Sequence, residues 1–232
     1  MRRRTAASRE PSAVARSTPS NRMRPREGAC SPTSNRATVD LPQPGMPTRA
    51  RAGIAVNPSD SFTVTVTTPS LTGHRPVMVW LHGGGYSSGG GSLPWYDGGA
   101  LSAEGDVVVV SVNYRVGVLG YLLLDSVSEG NLGVHDQIAA LEWVRENIEA
   151  FGGDPDSVTV FGQSAGAHSI VNLLSSNNSR TLFHRAILQS TPRPDLNFTQ
   201  AAAIENGETF ARLLDGDPRT APLSHILDAF RG

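Results

Sequence analysis

Two short runs of aliphatic, β-branched residues constrain this chain more than anything else in it. Pro76-Val-Met-Val-Trp-Leu81 and Asp106-Val-Val-Val-Val-Ser-Val112 are continuously apolar rather than alternating. Such runs suit strands covered on both faces, as in a parallel sheet held between helices. Ser157-Val-Thr-Val-Phe161 reads as another strand, followed by a helix through about Ser175, and Arg185–Gln189 as the next strand. From His135 to Phe151, Ile138, Leu141, Val144, Ile148 and Phe151 recur at spacings of three and four, which predicts an amphipathic helix closed by Gly152-Gly153. Helical patterns return near Gln200–Leu214 and Leu223–Phe230. Ser61–Thr68 alternates apolar and hydroxyl residues with period two, predicting a half-buried, edge-type strand. Strands alternating with helices predict an α/β fold with a mostly parallel central sheet flanked by helices. Ligands then belong at the carboxyl ends of the strands.

Charge divides the chain in two. Residues 1–51 hold 11 Arg against three acids (Glu10, Glu27, Asp40), a local net of +8, whereas the whole chain carries −1. This stretch is rich in Arg, Ser and Pro and has no apolar periodicity, so it cannot bury enough surface to offset the entropy of ordering. Residues 1–58 are therefore expected to be disordered, with the ordered domain spanning 59–232. A secretory signal needs an apolar core after its basic start, and none is present. The expected location is cytoplasmic. An organelle transit peptide shares the Arg and Ser bias but should be amphipathic, and Pro11, Pro19, Pro25 and Pro32 interrupt it. Targeting and an anion-binding arm stand as alternatives to a passive N-terminus. The near-neutral balance argues against nucleic acid as a partner, and no apolar run is long enough to span a bilayer. One cysteine, Cys30, excludes an internal disulfide framework and a cysteine-built zinc site.

The chemistry concentrates at two glycine-rich junctions. Gly162-Gln163-Ser164-Ala165-Gly166 stands between the strand ending at Phe161 and the following helix. G-x-S-x-G in that setting is a nucleophile elbow, a turn that thrusts the serine hydroxyl out above the sheet. The Ala165 amide, in the first helical turn, is free to face a developing oxyanion. The pentapeptide alone is a weak signal; its context strengthens it. His82-Gly83-Gly84-Gly85-Tyr86 directly follows the Val77–Leu81 strand and offers backbone amides unobstructed by side chains. A phosphate-cradling P-loop would need a Gly-Lys-Ser/Thr ending, and the chain has no Lys.

Pro76 through Ser190 resembles the type-B carboxylesterase/cholinesterase-like family of the α/β-hydrolase fold. The resemblance rests on VMVWLHGGGY (77–86), YDGGAL (96–101), VSVNYRVGVLGYL (110–122), the long block from Gly130 to Ser169, and LFHRAILQS (182–190). It implies hydrolysis of a small-molecule carboxylic ester through a Ser–Glu–His triad. Ser164 is then the nucleophile, and Gly84, Gly85 and Ala165 are the amide donors of the oxyanion hole. It implies no metal and no organic cofactor, gives Arg115 and Asp154 structural roles, and makes Ser61 the counterpart of a disulfide cysteine in many relatives. Gln163 replaces a common Glu.

Family members are considerably longer, and their acid and His lie well beyond the nucleophile. Only 68 residues follow Ser164 here. The later candidates are His168, His184 and His225 with Glu205, Glu208, Asp215, Asp217 and Asp228. His168 is four positions along the same helix and is expected to pack beside it; His82 is expected to prop the glycine loop, and His74 and His135 to lie in loops or at the surface. The expectation is an α/β-hydrolase fold truncated after the strand that follows the nucleophile helix, weakly active or inactive alone. A non-catalytic binding or adhesion protein of the same family and a non-functional fragment are the alternatives, and the oligomeric state is open.

Overall fold

The apolar runs become neighbouring strands of one sheet. The computed structural model describes residues 36–40, 48–54, 62–193 and 197–231, all within one unit, Thr33–Gly232. In chain order these form β1 (Arg36–Asp40), β2 (Thr48–Ile54), β3 (Phe62–Thr68), β4 (Arg75–Leu81), α1 (Gly99–Gly105), β5 (Val108–Asn113) and α2 (Val118–Tyr121). Then come β6 (Leu123–Leu124), β7 (Ser128–Glu129), α3 (Leu132–Asn147), β8 (Gly153–Gln163), α4 (Ala165–Ser175), β9 (Arg185–Gln189), α5 (Gln200–Leu213) and α6 (Leu223–Arg231). Seven strands lie in the order β1-β2-β3-β5-β4-β8-β9, and β6 and β7 form a separate small ribbon. Pairing is antiparallel from β1 to β5 and parallel from β5 through β4 and β8 to β9. The parallel half carries the predicted chemistry. This is the α/β-hydrolase architecture, with helices packed on the sheet.

Val77, Val79, Val108, Val110, Val158 and Val160 are fully buried, which is why their strands need no polar alternation. The period-3.6 pattern is realised as α3, continued by a 3-10 turn over Ile148–Phe151 and closed at Gly152 with φ 74. Its inner face buries Ala140, Leu141, Trp143 and Val144, and Ile148 and Phe151 extend the same core. At ~25 cal/mol per Å² of apolar surface, each such side chain supplies about 1.5–3 kcal/mol against chain entropy. Arg115 anchors the segment entering α3. Its backbone N–H and Nε donate to Asp136 Oδ2 at 2.9 and 2.8 Å, and its Nη2 donates to Oδ1 at 2.6 Å. Asp136 is almost fully buried, so the paired geometry offsets its desolvation. Asp154 accepts from the Asp156 backbone N–H at 2.8 Å, a turn role.

Two expectations change. The strand at Phe62–Thr68 is not an edge: it sits between β2 and β5. Its alternation is visible, with Phe62, Val64 and Val66 buried, but Thr67 and Thr68 are buried as well. Period two reports which face is apolar, not how many neighbours a strand has. The neighbours that displace it from the edge lie inside the stretch expected to be disordered. Arg36–Asp40 and Thr48–Ile54 are strands, with Ala50 opposite Val66 and Ala52 opposite Val64. Arg alternating with Ala in β2 concealed a strand that pairing with β3 supports. The rest of the expectation for 1–58, the N-terminal signal reading, Cys30 and Ser61 lie outside the described residues.

Candidate active site

The β8–α4 junction is a sharp turn. Ser164 adopts φ 53 and ψ −119, between the last residue of β8 and the first of α4. A non-glycine residue in this region carries roughly 1–3 kcal/mol of strain. Backbone bonds hold it there: the Ser164 N–H donates to Gln189 O at 2.9 Å, and the His168 N–H donates to Ser164 O at 2.9 Å. The first bond ties the elbow to the end of β9. Close packing explains the flanking glycine, since a Cβ on Gly166 would overlap the Leu81 carbonyl oxygen at the end of β4.

The glycine loop leaves β4 at the same carboxyl end. A Cβ on Gly83 would stand 2.8 Å from Gln163 O and 3.4 Å from Ser164 Cβ, so the loop runs directly against the elbow. Gly84 has φ 122, and its carbonyl accepts the Ser87 and Ser88 N–H groups, each at 3.1 Å; a side chain there would collide with Ser88 O. Its carbonyl is thus turned into the loop. The N–H groups of Gly84, Gly85 and Ala165 donate to no acceptor among the described residues. Gly84 and Gly85 are exposed, so their amides are open to solvent, and Ala165 opens α4, where the first N–H groups have no intrahelical acceptor.

Both ends of the loop are tied down. His82 is fully buried, stacks on Tyr114 with ring centroids 4.2 Å apart, and donates from Nδ1 to Gly83 O at 2.8 Å. Tyr114 in turn donates to His82 O at 2.6 Å. Burial pushes the His82 imidazole below its usual range, against the opposing pull of the Gly83 hydrogen bond. At the far end Tyr86 takes φ 61, a conformation costing a side chain about 1–2 kcal/mol. Its hydroxyl lies 3.0 Å from His168 Nδ1, and burial raises its pKa despite the bond from Ser169.

Among the described residues no base stands on the serine. Its hydroxyl has no hydrogen-bond partner among the described residues, and all six histidines are described. His168 is buried and engaged with Tyr86. His82 is engaged with Gly83. His184 accepts the Val158 N–H at 3.1 Å, His74 lies 3.4 Å from Asp154, and His135 and His225 are exposed. Among the later acids, Asp217 pairs with Arg219, whose hydrogen bonds pull its carboxyl down to about 2, and Asp228 lies beside Arg231. A recess of about 170 Å³ lined by Trp80, Trp95, Tyr96 and Phe161 is not lined by Ser164, Gly84 or Gly85. Among the described residues no helix is long and apolar enough to cross a membrane.

The structure thus sets the Gly83 end of the loop against Ser164. Sequence reasoning missed the Tyr86–His168 contact and the tie from Ser164 to Gln189. The first had a signal: a lone imidazole one helical turn beyond the serine, amid Ala165, Gly166, Ala167 and Ser169.

Comparison with known proteins bears on the family and the fold. The model of the carboxylesterase family matches residues 25–227. A Rhodococcus erythropolis protein described as "Probable N-octanoylanthranilate hydrolase AqdA2" is 50% identical over 204 residues, covering 82% of this chain and 45% of the relative. The para-nitrobenzyl esterase of Bacillus subtilis is 53% identical over 139 residues, covering 59% of this chain and 28% of that protein. Among solved structures, a Geobacillus stearothermophilus carboxylesterase superposes with a TM-score of 0.69 at 43% identity, over 75% of this chain and 41% of that one. The chain spans less than half the length of these relatives.

Proposed function

This chain belongs to the carboxylesterase family, and on that premise we propose that it carries the nucleophile and oxyanion-binding part of a carboxylic ester hydrolase. In the reaction, Ser164 Oγ bonds to the ester carbonyl carbon while its proton passes to water or buffer, since the described residues place no base beside it. The carbonyl oxygen becomes an oxyanion facing the amides of Gly84, Gly85 and Ala165. The bond to the alcohol oxygen then breaks, the alcohol leaves with a proton, and water releases the acid from the acyl-serine. Each amide aimed at the oxyanion contributes about 3–4 kcal/mol where such donors have been removed in other enzymes. The observation that carries this reading is the strained Ser164 at the β8–α4 turn with Gly83 of the glycine loop packed against it. Its substrate is a small carboxylic ester, in keeping with the ester hydrolases it resembles.

The serine lacks an activating partner among the described residues, so this chain as it stands turns ester over slowly. In another serine hydrolase, loss of the triad leaves ~10³–10⁴-fold catalysis over water. The unpartnered hydroxyl also favours a second reading, in which the chain binds ester-like ligands without turnover. Exposure to a fluorophosphonate followed by peptide mass mapping separates the two. The hydrolase reading predicts a slow covalent adduct on the peptide containing Ser164 and none in Ser164→Ala. No adduct from a chain that unfolds cooperatively supports the binding reading, and an adduct surviving in Ser164→Ala contradicts the assignment of the nucleophile.

A further inference from the structure

We propose that Tyr86 and His168 form a positioning pair that holds the amides of Gly84 and Gly85 in place against Ser164, an inference that rests on the oxyanion reading of that loop. Tyr86 follows the two glycines directly, and His168 sits one helical turn beyond the serine. The His168 backbone N–H donates to Ser164 O at 2.9 Å, while its Nδ1 meets the Tyr86 hydroxyl at 3.0 Å. One residue therefore touches both the backbone of the nucleophile and the end of the glycine loop. The contact bridges 82 positions of sequence and joins the β4–α1 connection to α4.

The hydrogen bonds around the pair have a direction. Gln137 Nε2 donates to Ser169 Oγ at 3.1 Å, and the Ser169 hydroxyl donates to Tyr86 Oη at 3.4 Å. With Ser169 donating to Oη, the phenol hydrogen of Tyr86 is free to be donated to His168 Nδ1. Such a chain polarises each member in the same sense and is stronger than isolated bonds. It also compensates the left-handed conformation of Tyr86, which a tyrosine does not adopt on local grounds. The Gly117 N–H donating to Tyr86 O at 2.6 Å fixes the backbone of the same residue.

The other tie on the loop, at His82, acts on Gly83. Gly84 and Gly85 lie between the two ties. Release of the Tyr86 side chain leaves that end held by backbone bonds alone, from Gly117 to Tyr86 O and from Ser87 and Ser88 to Gly84 O, and amides that must reorganise during the reaction lose much of their electrostatic value.

The test uses the full chain with two readouts. Hydrogen exchange at the Ser87 and Ser88 amides, both bonded to Gly84 O, reports the loop without any need for activity. The rate of fluorophosphonate addition at Ser164 reports its effect on the nucleophile. Tyr86→Phe, which deletes one oxygen, and His168→Leu, which keeps bulk but no acceptor, should each speed the exchange and slow the addition by about tenfold, the worth of one hydrogen bond. His168→Asn places an oxygen where Nδ1 stood and should bring both rates to within about threefold of the wild type. Unchanged exchange at the amides of β4 and β5 shows that each variant is folded. The pair is overturned if Tyr86→Phe leaves Ser87 and Ser88 exchange unaltered, or if Asn and Leu at position 168 behave alike. Failure of the wild type to form an adduct instead counts against the proposed function, while the exchange measurement still decides the pair.

Discussion

At Ser164, backbone and side chain give opposite signals. The backbone is held in a costly conformation by a bond to Gln189 and one from His168, yet the hydroxyl has no partner among the described residues. Strain kept at a reactive side chain is a mark of preorganisation. His82 illustrates a second residue whose chemistry is suppressed in favour of position. Burial lowers its pKa below 6.5, so the unfolded chain binds a proton there more readily than the folded one. The unfolded state then gains on acidification, and stability falls as pH drops through 6.5 toward the folded value, with no such contribution at higher pH. Denaturant midpoints measured at about pH 7.5 and about pH 5.5 should fall on acidification, and fall less in His82→Asn. An equal drop in both proteins would contradict the buried, neutral imidazole. Ser164 and the glycines were legible in the sequence because local spacing carries the elbow and the loop. Tyr86 and His168 were not paired because nothing local links two residues whose contact is made by the sheet.

Among the elements, α3 shows most directly how pattern becomes packing. Its apolar positions fall on the buried face as the spacing predicts, but it begins at Leu132 rather than His135. Asn131 at φ 54 provides the turn into the helix. Similarly, β8 begins at Gly153, several residues before the apolar run, because Arg75 pairs with Gly153 across the sheet. Pairing with a neighbour extends a strand through Asp154, Pro155 and Asp156, which are poor strand formers alone. Leu141 is fully buried in the main core. Leu141→Ala should cost ~2–5 kcal/mol in denaturant unfolding with an unchanged denaturant dependence; a loss below ~1 kcal/mol would mean that α3 is not packed as described.

For the molecule as a whole, the alternation of runs and helices was enough to read the fold class, whereas the sheet order was not. The antiparallel strands β1 and β2 lie in an Arg- and Pro-rich stretch whose composition argues for disorder, and pairing makes them strands, β2 on β3 and β1 on β2. At the opposite end, β9 is the last strand of the described sheet, with Ile187 and Leu188 exposed. That edge bears on the site as well as on solubility, because Gln189 at its end accepts the Ser164 N–H. On the proposed function, the serine and the glycine loop lie on one scaffold, and among the described residues no side chain is bonded to the Ser164 hydroxyl. The decisive measurement is the rate at which a fluorophosphonate adds to Ser164 as imidazole is titrated into the full chain. Slow addition that accelerates with imidazole, and is absent in Ser164→Ala, is the result expected of an oriented serine with no base of its own. Rapid, stoichiometric addition independent of imidazole would show that the chain activates the serine itself and would contradict the account.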